Sequence, residues 1–346
     1  MSGITVRAVD FSGGDSGWSD FVSAHPACTH YHRPEWASVI QSEFRQTPHY
    51  LIAHDASSVR GVLPLVRLRS RLFGDFLVSM PYLNYGGILA TDDAARDALL
   101  DAAIDRAQSL GVSHLELREQ SESDRDLAVR TDKVSMVLEL PESIDELGKA
   151  IGSKRRSQVR RPLRENPDIQ VGGVELVDRF YQVFARNMRD LGTPVYAKSF
   201  FLRMAQTFPE DVRIVTITVN DSPAAAAFLI GHGEQLEIPW ASTVRDFNKI
   251  SINMLLYWEV LRYAIDSGFK RFDFGRSTKD AGTYRFKRQW GAEPQQLYWH
   301  YWLSEGVEPP KLNPDNPKFA LAIRAWQKLP VGLANVIGPR IVRNLP

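Results

Sequence analysis

A single cysteine, Cys28, stands in 346 residues. That excludes an intrachain disulfide framework and any cysteine-rich metal site. No feature around Cys28 activates it, so it reads as a buried structural thiol, free cysteine behaving as a small hydrophobe. Long apolar runs are also missing. No window approaches the ~20 apolar residues of a membrane span, and the opening MSGITVRAVD has no signal-peptide core. The expected location is the cytoplasm, with room for peripheral contact at the inner membrane. There is no HExxH helix and no paired-cysteine motif, so no metal is expected. A GxSxG nucleophile elbow is absent too, which favours direct transfer over a covalent enzyme intermediate. Net charge is only +1, so any basic surface must be local.

Apolar residues make up 44% of the chain and charged residues 24%. This is the balance of a globular protein, and the length suits two domains. In the first half, Trp36, Val39, Ile40 and Phe44 recur at helical spacing over Pro34 to Phe44. HYLIAH and VRGVLPLVRL, joined by a polar turn at Asp55 to Ser58, predict a hairpin. A helix is predicted from about Asp92 to Leu110, capped by Thr91 or Asp92 and stopped by Gly111. The strand SHLELRE follows. The second half repeats this plan: a helix over Phe200 to Phe208, then RIVTITV, a turn at Asn220 to Pro223, AAAAFLIGH, QLEIPWAS, a helix from Ser251 to Asp266 and the strand KRFDFG. Ala107 to Leu117 (AQSLGVSHLEL) aligns with Ala264 to Phe274 (AIDSGFKRFDF), and Glu116 falls opposite Asp273. The offset is too long for a solenoid repeat and fits a duplicated domain. The order helix, hairpin, strand, helix, strand is a mixed α/β plan.

Between Leu191 and Trp302 the chain carries LGTPVYAKSFF, LEIPWAS, NMLLYWEVLRYAIDSGFKRFDFGRST and GTYRFKRQWGAEP. These segments resemble the FemAB-related branch of the GNAT superfamily. More narrowly, they are similar to the FemAB-like proteins associated with exosortase and PEP-CTERM systems and exopolysaccharide synthesis. YHRPEWASVI, GVLPLVRLRSRLFG and PYLNYGGILA in the first half are similar to the same group. The resemblance implies two tandem GNAT-like domains with a central cleft for the acceptor. The boundaries expected are 1–145, 146–306 and a Pro-rich linker with an amphipathic tail, 307–346. It implies transfer of an acyl or aminoacyl group to an amine on a cell-envelope or exopolysaccharide precursor, lipid- or nucleotide-linked. Aminoacyl-tRNA or acyl-CoA would be the donor, with no tightly bound cofactor. The usual GNAT cradle for CoA pyrophosphate (Arg or Gln, two residues, Gly, one residue, Gly or Ala) is absent, which weighs against acetyl-CoA. Two other readings stay open: an N-acyltransferase using acyl-CoA or acyl-carrier protein on an amino sugar, and a non-catalytic component of an exopolysaccharide assembly. The oligomeric state is not legible.

The candidate residues fall in four places. From Lys154 to Arg164, KRRSQVRRPLR holds six basic residues and no acid. Clustered guanidinium groups suit phosphate, and the resemblance gives that role to Lys154, Arg156, Arg160 and Arg161. A tRNA acceptor stem would satisfy the same charges, and a solvated helix face would need no ligand at all. In FDFGRSTKDAGTYRFKRQWGAEP the family's Phe-Lys pair falls on Phe286 and Lys287, followed by Trp290 and Gly291. Lys287 is the expected cation at the reacting carbonyl or on the donor phosphate, and Tyr284 the expected proton donor. Asp273 is a positioning acid or a structural one. Arg276 and Ser277, where a strand meets a loop, are binding candidates. Trp240 either walls the acceptor cleft or packs in the core. In PYLNYGG, Tyr82, Asn84 and Tyr85 either line a sugar or peptide groove or pack a tight turn. The tail, set off by Pro309, Pro310, Pro314 and Pro317, combines apolar residues with Arg324, Lys328, Arg340 and Arg343. It reads as a helix lying on an anionic membrane or packed on the second domain.

Overall fold

Local chemistry sets most of the element ends. The computed structural model describes residues 3–11, 17–70, 74–310 and 317–345. The chain begins with β1 (Thr5–Ala8), α1 (Trp18–Ala24), α2 (Glu35–Phe44), β2 (Thr47–Pro48) and β3 (Leu51–His54). There follow β4 (Val59–Leu63), β5 (Leu65–Ser70), β6 (Gly74–Ser79), β7 (Leu89–Ala90), α3 (Asp93–Leu110), β8 (His114–Glu119) and β9 (Ala128–Arg130). The α3 helix starts where the Asp92 side chain accepts a hydrogen bond from the Ala95 amide, and stops at Gly111 in the left-handed region. The single strand expected over VRGVLPLVRL is two strands. Pro64 has no amide hydrogen to extend a ladder, and β4 and β5 on either side of it join different sheets.

The next stretch contains β10 (Lys133–Glu139), α4 (Ile144–Leu163), β11 (Asp168–Gly172), α5 (Val177–Leu191), α6 (Lys198–Thr207), β12 (Val212–Val219), β13 (Ser222–His232) and β14 (Gln235–Thr243). Then come α7 (Ile252–Asp266), β15 (Arg271–Thr278), α8 (Gly282–Arg288), β16 (Glu293–Gln296), β17 (Tyr298–Leu303), α9 (Pro317–Gln327) and α10 (Val331–Val342).

These elements form two compact units. The first holds Met1–Lys133, Gln296–Lys311 and Arg343–Pro346; the second holds Val134–Gln295 and Leu312–Val342. This differs from the boundaries at 145 and 306 read from the sequence. In the first unit β17 inserts between β8 and β9 in a six-stranded sheet, β2-β5-β6-β8-β17-β9, beside a four-stranded sheet, β1-β3-β4-β7. Tyr298 to Leu303 pair in full register with Glu119 to His114, so the strand after Gln296 completes the first unit and not the second.

The second unit is built on a seven-stranded sheet, β11-β12-β13-β14-β15-β10-β16. Its interior strand β13 is buried from Ala224 to Gly231, as expected of a strand covered on both faces. Ala225, Ala227 and Leu229 pack into one core with Leu255, Leu256 and Val260 of α7. Phe228 faces Phe180 of α5 and Phe201 of α6 instead. The α4 run is two helical arms. Gly152 at φ 79, ψ 169 breaks it, a conformation open essentially to glycine alone. The tail helices α9 and α10 pack against α5, and Arg189 donates to the Leu329 carbonyl. Pro314 lies outside the described residues. Cys28 is half-buried, and burial raises its thiol pKa.

Candidate functional site

The two parallel strands β14 and β15 pair over only three positions: Gln235↔Arg271, Leu236↔Phe272 and Glu237↔Asp273. Beyond Glu237 the ladder ends. Pro239 has no amide hydrogen, and the β13–β14 pairing shifts register between Phe228 and Ile230. The sheet therefore opens just past Glu237 and Asp273, and the candidate groups collect around this opening.

Asp273 is wholly buried. Its Oδ1 accepts from Ser135 Oγ at 2.6 Å, on β10, and from the Gly275 amide at 2.7 Å. Gly275 has φ 73, a left-handed conformation that favours glycine, and this turns its amide back onto Asp273. Lys287 comes from α8 and is also buried. Its Nζ donates to the carbonyl oxygens of Gly275 and Arg276, both at 2.9 Å. Burial lowers the Lys287 pKa from 10.5 to about 8, against the opposing pull of Asp273 and Glu237; Arg276 lowers it further. The ammonium form thus spends two protons on strand carbonyls and has a third to offer. The neutral form is within reach just above neutral pH.

The Tyr284 ring, half-buried against the core, stands one helical turn before Lys287, on the same side of α8. Its hydroxyl has no hydrogen-bond partner among the described residues. Ser277 is buried with its Oγ unpartnered. Arg276 is half-buried.

Beside Phe286 lies a pocket of about 150 Å³, lined also by Asn187, Ser242, Thr243, Asn253 and Tyr257. Asn187 Nδ2 donates to Ser242 Oγ at 3.1 Å. Burial pushes the Tyr257 phenol up to about 12, so it stays neutral, and no charged side chain lines this pocket. Sequence reasoning missed Asn187 and Ser135, which lie outside the segments that carry the resemblance, and gave no role to Ser242 and Asn253, which lie within them. Glu237 had a visible signal, an acid between Leu236 and Ile238 in a strand segment.

The remaining candidates are held elsewhere. Trp240 is half-buried, edge-on to Tyr196, Phe200, Phe201 and Phe228 at 5.2–6.0 Å, so its inner side is an aromatic core contact. Lys154, Arg160 and Arg161 are exposed on the second arm of α4. None of the three makes an ion pair among the described residues. Arg156 is half-buried and donates to the Gly148 carbonyl at 2.6 Å. Arg156 and Arg160 border a groove of about 390 Å³ floored by Val159 and Trp258; it shares no lining residue with the pocket beside Phe286.

In the first unit Tyr82 stacks on Phe44 at 3.9 Å and donates to the Arg343 carbonyl at 2.7 Å. Tyr85 is buried edge-on to Tyr31, while Asn84 is half-buried. Both tyrosine rings are thus engaged in packing. Glu116 sits on the parallel pair β6–β8, opposite Val78, and is neutralised by buried Arg118 at 2.7 Å. No group of three or more metal-ligating side chains occurs among the described residues.

Residues 153–288 match the family model of the acetyltransferase (GNAT) domain. The fold is that of tandem GNAT proteins. The crystal structure of FemX is similar at a TM-score of 0.63 and 14% identity, covering 86% of this chain and 96% of that one. The C-terminal domain of a putative lysylphosphatidylglycerol synthetase from Agrobacterium fabrum is similar at 0.57 and 11% identity, covering 84% and 90%. A tandem GNAT protein from the clavulanic acid biosynthesis pathway is similar at 0.52 and 11% identity, covering 89% and 100%. At these identities the likeness is one of fold. No curated protein sequence matches the chain. The match to the GNAT acetyltransferase domain model lies within the second unit.

Proposed function

We propose that the protein is an acyl- or aminoacyl-transferase that forms an amide on a cell-envelope or exopolysaccharide precursor, within the exosortase-associated FemAB-like group. The observation that carries this reading is Lys287: a buried ammonium fixed on two strand carbonyls where β14 and β15 part. When an amine attacks the donor carbonyl, the carbon–nitrogen bond forms and the carbonyl electron pair moves to oxygen. The third Lys287 proton is the donor to that oxyanion. Collapse of the intermediate breaks the bond to the ester oxygen or thioester sulfur; Tyr284 gives its proton to the leaving group and takes one back from the attacking nitrogen, which leaves a neutral amide and a neutral phenol. Asp273, through the Gly275 amide, positions the carbonyl that holds Lys287. A preorganised donor of this kind is worth about 3–4 kcal/mol in the transition state.

Lys154, Arg156, Arg160 and Arg161 are assigned to phosphate on the acceptor or the donor. Aminoacyl-tRNA is the favoured donor, since the chain has no CoA pyrophosphate cradle. The test is Lys287→Ala, which should slow transfer about a hundredfold to a thousandfold with acceptor Kd unchanged. An unchanged rate removes Lys287 from the mechanism. Titration with charged tRNA, uncharged tRNA and acyl-CoAs at fixed salt decides the donor. Preference for charged tRNA supports the aminoacyl reading, and saturable acyl-CoA binding replaces it with an N-acyltransferase.

A further inference from the structure

Nine large hydrophobic side chains are exposed among the described residues, and four of them lie on the two tail helices: Leu321 and Ile323 on α9, Leu333 and Val336 on α10. On α9 the contact at Ile323 sets the orientation, and Leu321, two positions earlier on the helix, turns to the other side. Ile323 sits directly over Gly192, next to Leu191; a Cβ at Gly192 would meet Ile323 Cγ2 at 2.5 Å. The opposite side of α10 is docked, with Ala334, Gly338 and Val342 buried and Gly338 against the Val195 backbone. Packing on the second unit therefore fixes which side of the tail faces out. That side is apolar where a packed helix would show polar residues, with Leu321 70% and Val336 58% exposed.

Charge narrows the occupant. From Pro317 to Val342 the chain has four basic residues and no acid. From α9 into the turn that follows it, the exposed line Leu321, Arg324, Lys328 runs from apolar to cationic; along α10, Leu333, Val336, Arg340 does the same at one-turn steps. Arg324 and Lys328 form no ion pair among the described residues. A second copy of the surface would bring like charges together, which a self-complementary interface avoids. An apolar strip edged only by cations matches the boundary between acyl chains and anionic headgroups.

We propose that the outward sides of α9 and α10 form a docking surface for an anionic lipid bilayer, with the leucine and valine side chains entering the acyl boundary and Arg324, Lys328 and Arg340 meeting the headgroups. This goes beyond the transferase reading and does not depend on it, because binding is measured without donor or acceptor. The full chain is sedimented with phosphatidylcholine vesicles and with vesicles containing phosphatidylglycerol. Binding is expected on the anionic vesicles and to weaken with salt. Arg324→Gln with Lys328→Gln should lower partition onto them roughly thirtyfold. Leu321→Gln with Val336→Gln should lower it about tenfold or more at unchanged monomer stability, since these side chains are exposed. Three results overturn the proposal: equal binding to both vesicles, binding untouched by Leu321→Gln with Val336→Gln, or a wild-type dimer that this pair of substitutions dissociates, which would assign the surface to a second copy.

Discussion

Replacing Lys287 with Met separates the cost of its buried charge from the value of its hydrogen bonds. Below pH 8 the lysine is charged in both folded and unfolded chains, and burial of that charge is a fixed penalty. Between about pH 8 and 10.5 the folded chain gives up the proton first. The unfolded state then binds more protons, so stability rises with pH across this window. Above 10.5 the lysine is neutral in both states and the penalty is gone. The gap from 10.5 to about 8, at about 1.4 kcal/mol for each tenfold change in proton affinity, amounts to roughly 3 kcal/mol. Lys287→Met removes this titration. It also strips the Gly275 and Arg276 carbonyls of their donor, at about 1–3 kcal/mol each, a loss that does not vary with pH. Urea unfolding of both proteins at closely spaced pH values isolates the slope, because other titrations occur in both and cancel. The wild-type stability minus that of Lys287→Met should climb by roughly 3 kcal/mol from pH 8 to 10.5. A flat difference would refute the reasoning and place the ammonium in water.

Ser135→Ala removes the 2.6 Å donor to buried Asp273 and should cost about 2 kcal/mol in urea unfolding. Arg118→Met leaves Glu116 buried without its partner and should cost about 3–5 kcal/mol; adding Glu116→Leu should recover most of it. Gly152→Ala meets no atom within 4 Å, so its expected loss of about 1–3 kcal/mol comes from the backbone conformation alone, read as a fall in Tm.

Elements whose ends are set locally were legible. Asp92 and Gly111 bracket α3, and Gly268 with φ 81 follows α7. The internal duplication was legible too. Glu116 and Asp273, aligned by the repeat, both lie on a parallel strand pair, opposite Val78 and Glu237. Their surroundings were not legible: one acid is held by an arginine two residues on, the other by Ser135, far back in the chain. Lys287 and Asp273 came forward from the family resemblance and the buried-acid pattern. Asn187 and Asn253 stayed invisible, because an amide on a helix has no periodicity of its own. The division into two units was not legible for a related reason. Nothing in YWHYWL says which sheet its hydrogen bonds will join, and the choice fell on β8 rather than on the domain the strand follows.

That choice has a consequence for synthesis. As the chain leaves the ribosome, β8 emerges with one edge bare, and the strand that covers it follows almost two hundred residues later, as Tyr298–Leu303. At about 5–20 residues per second that interval lasts on the order of ten to forty seconds. Throughout it the nascent first unit shows an unsatisfied strand edge, the kind of template on which chains join wrongly. The second unit, continuous from Val134 to Gln295, has most of its sheet in hand before the first can close. Vectorial synthesis therefore completes the later-encoded unit's sheet first, and a gene cut between the halves would deliver a first half that lacks its own sixth strand.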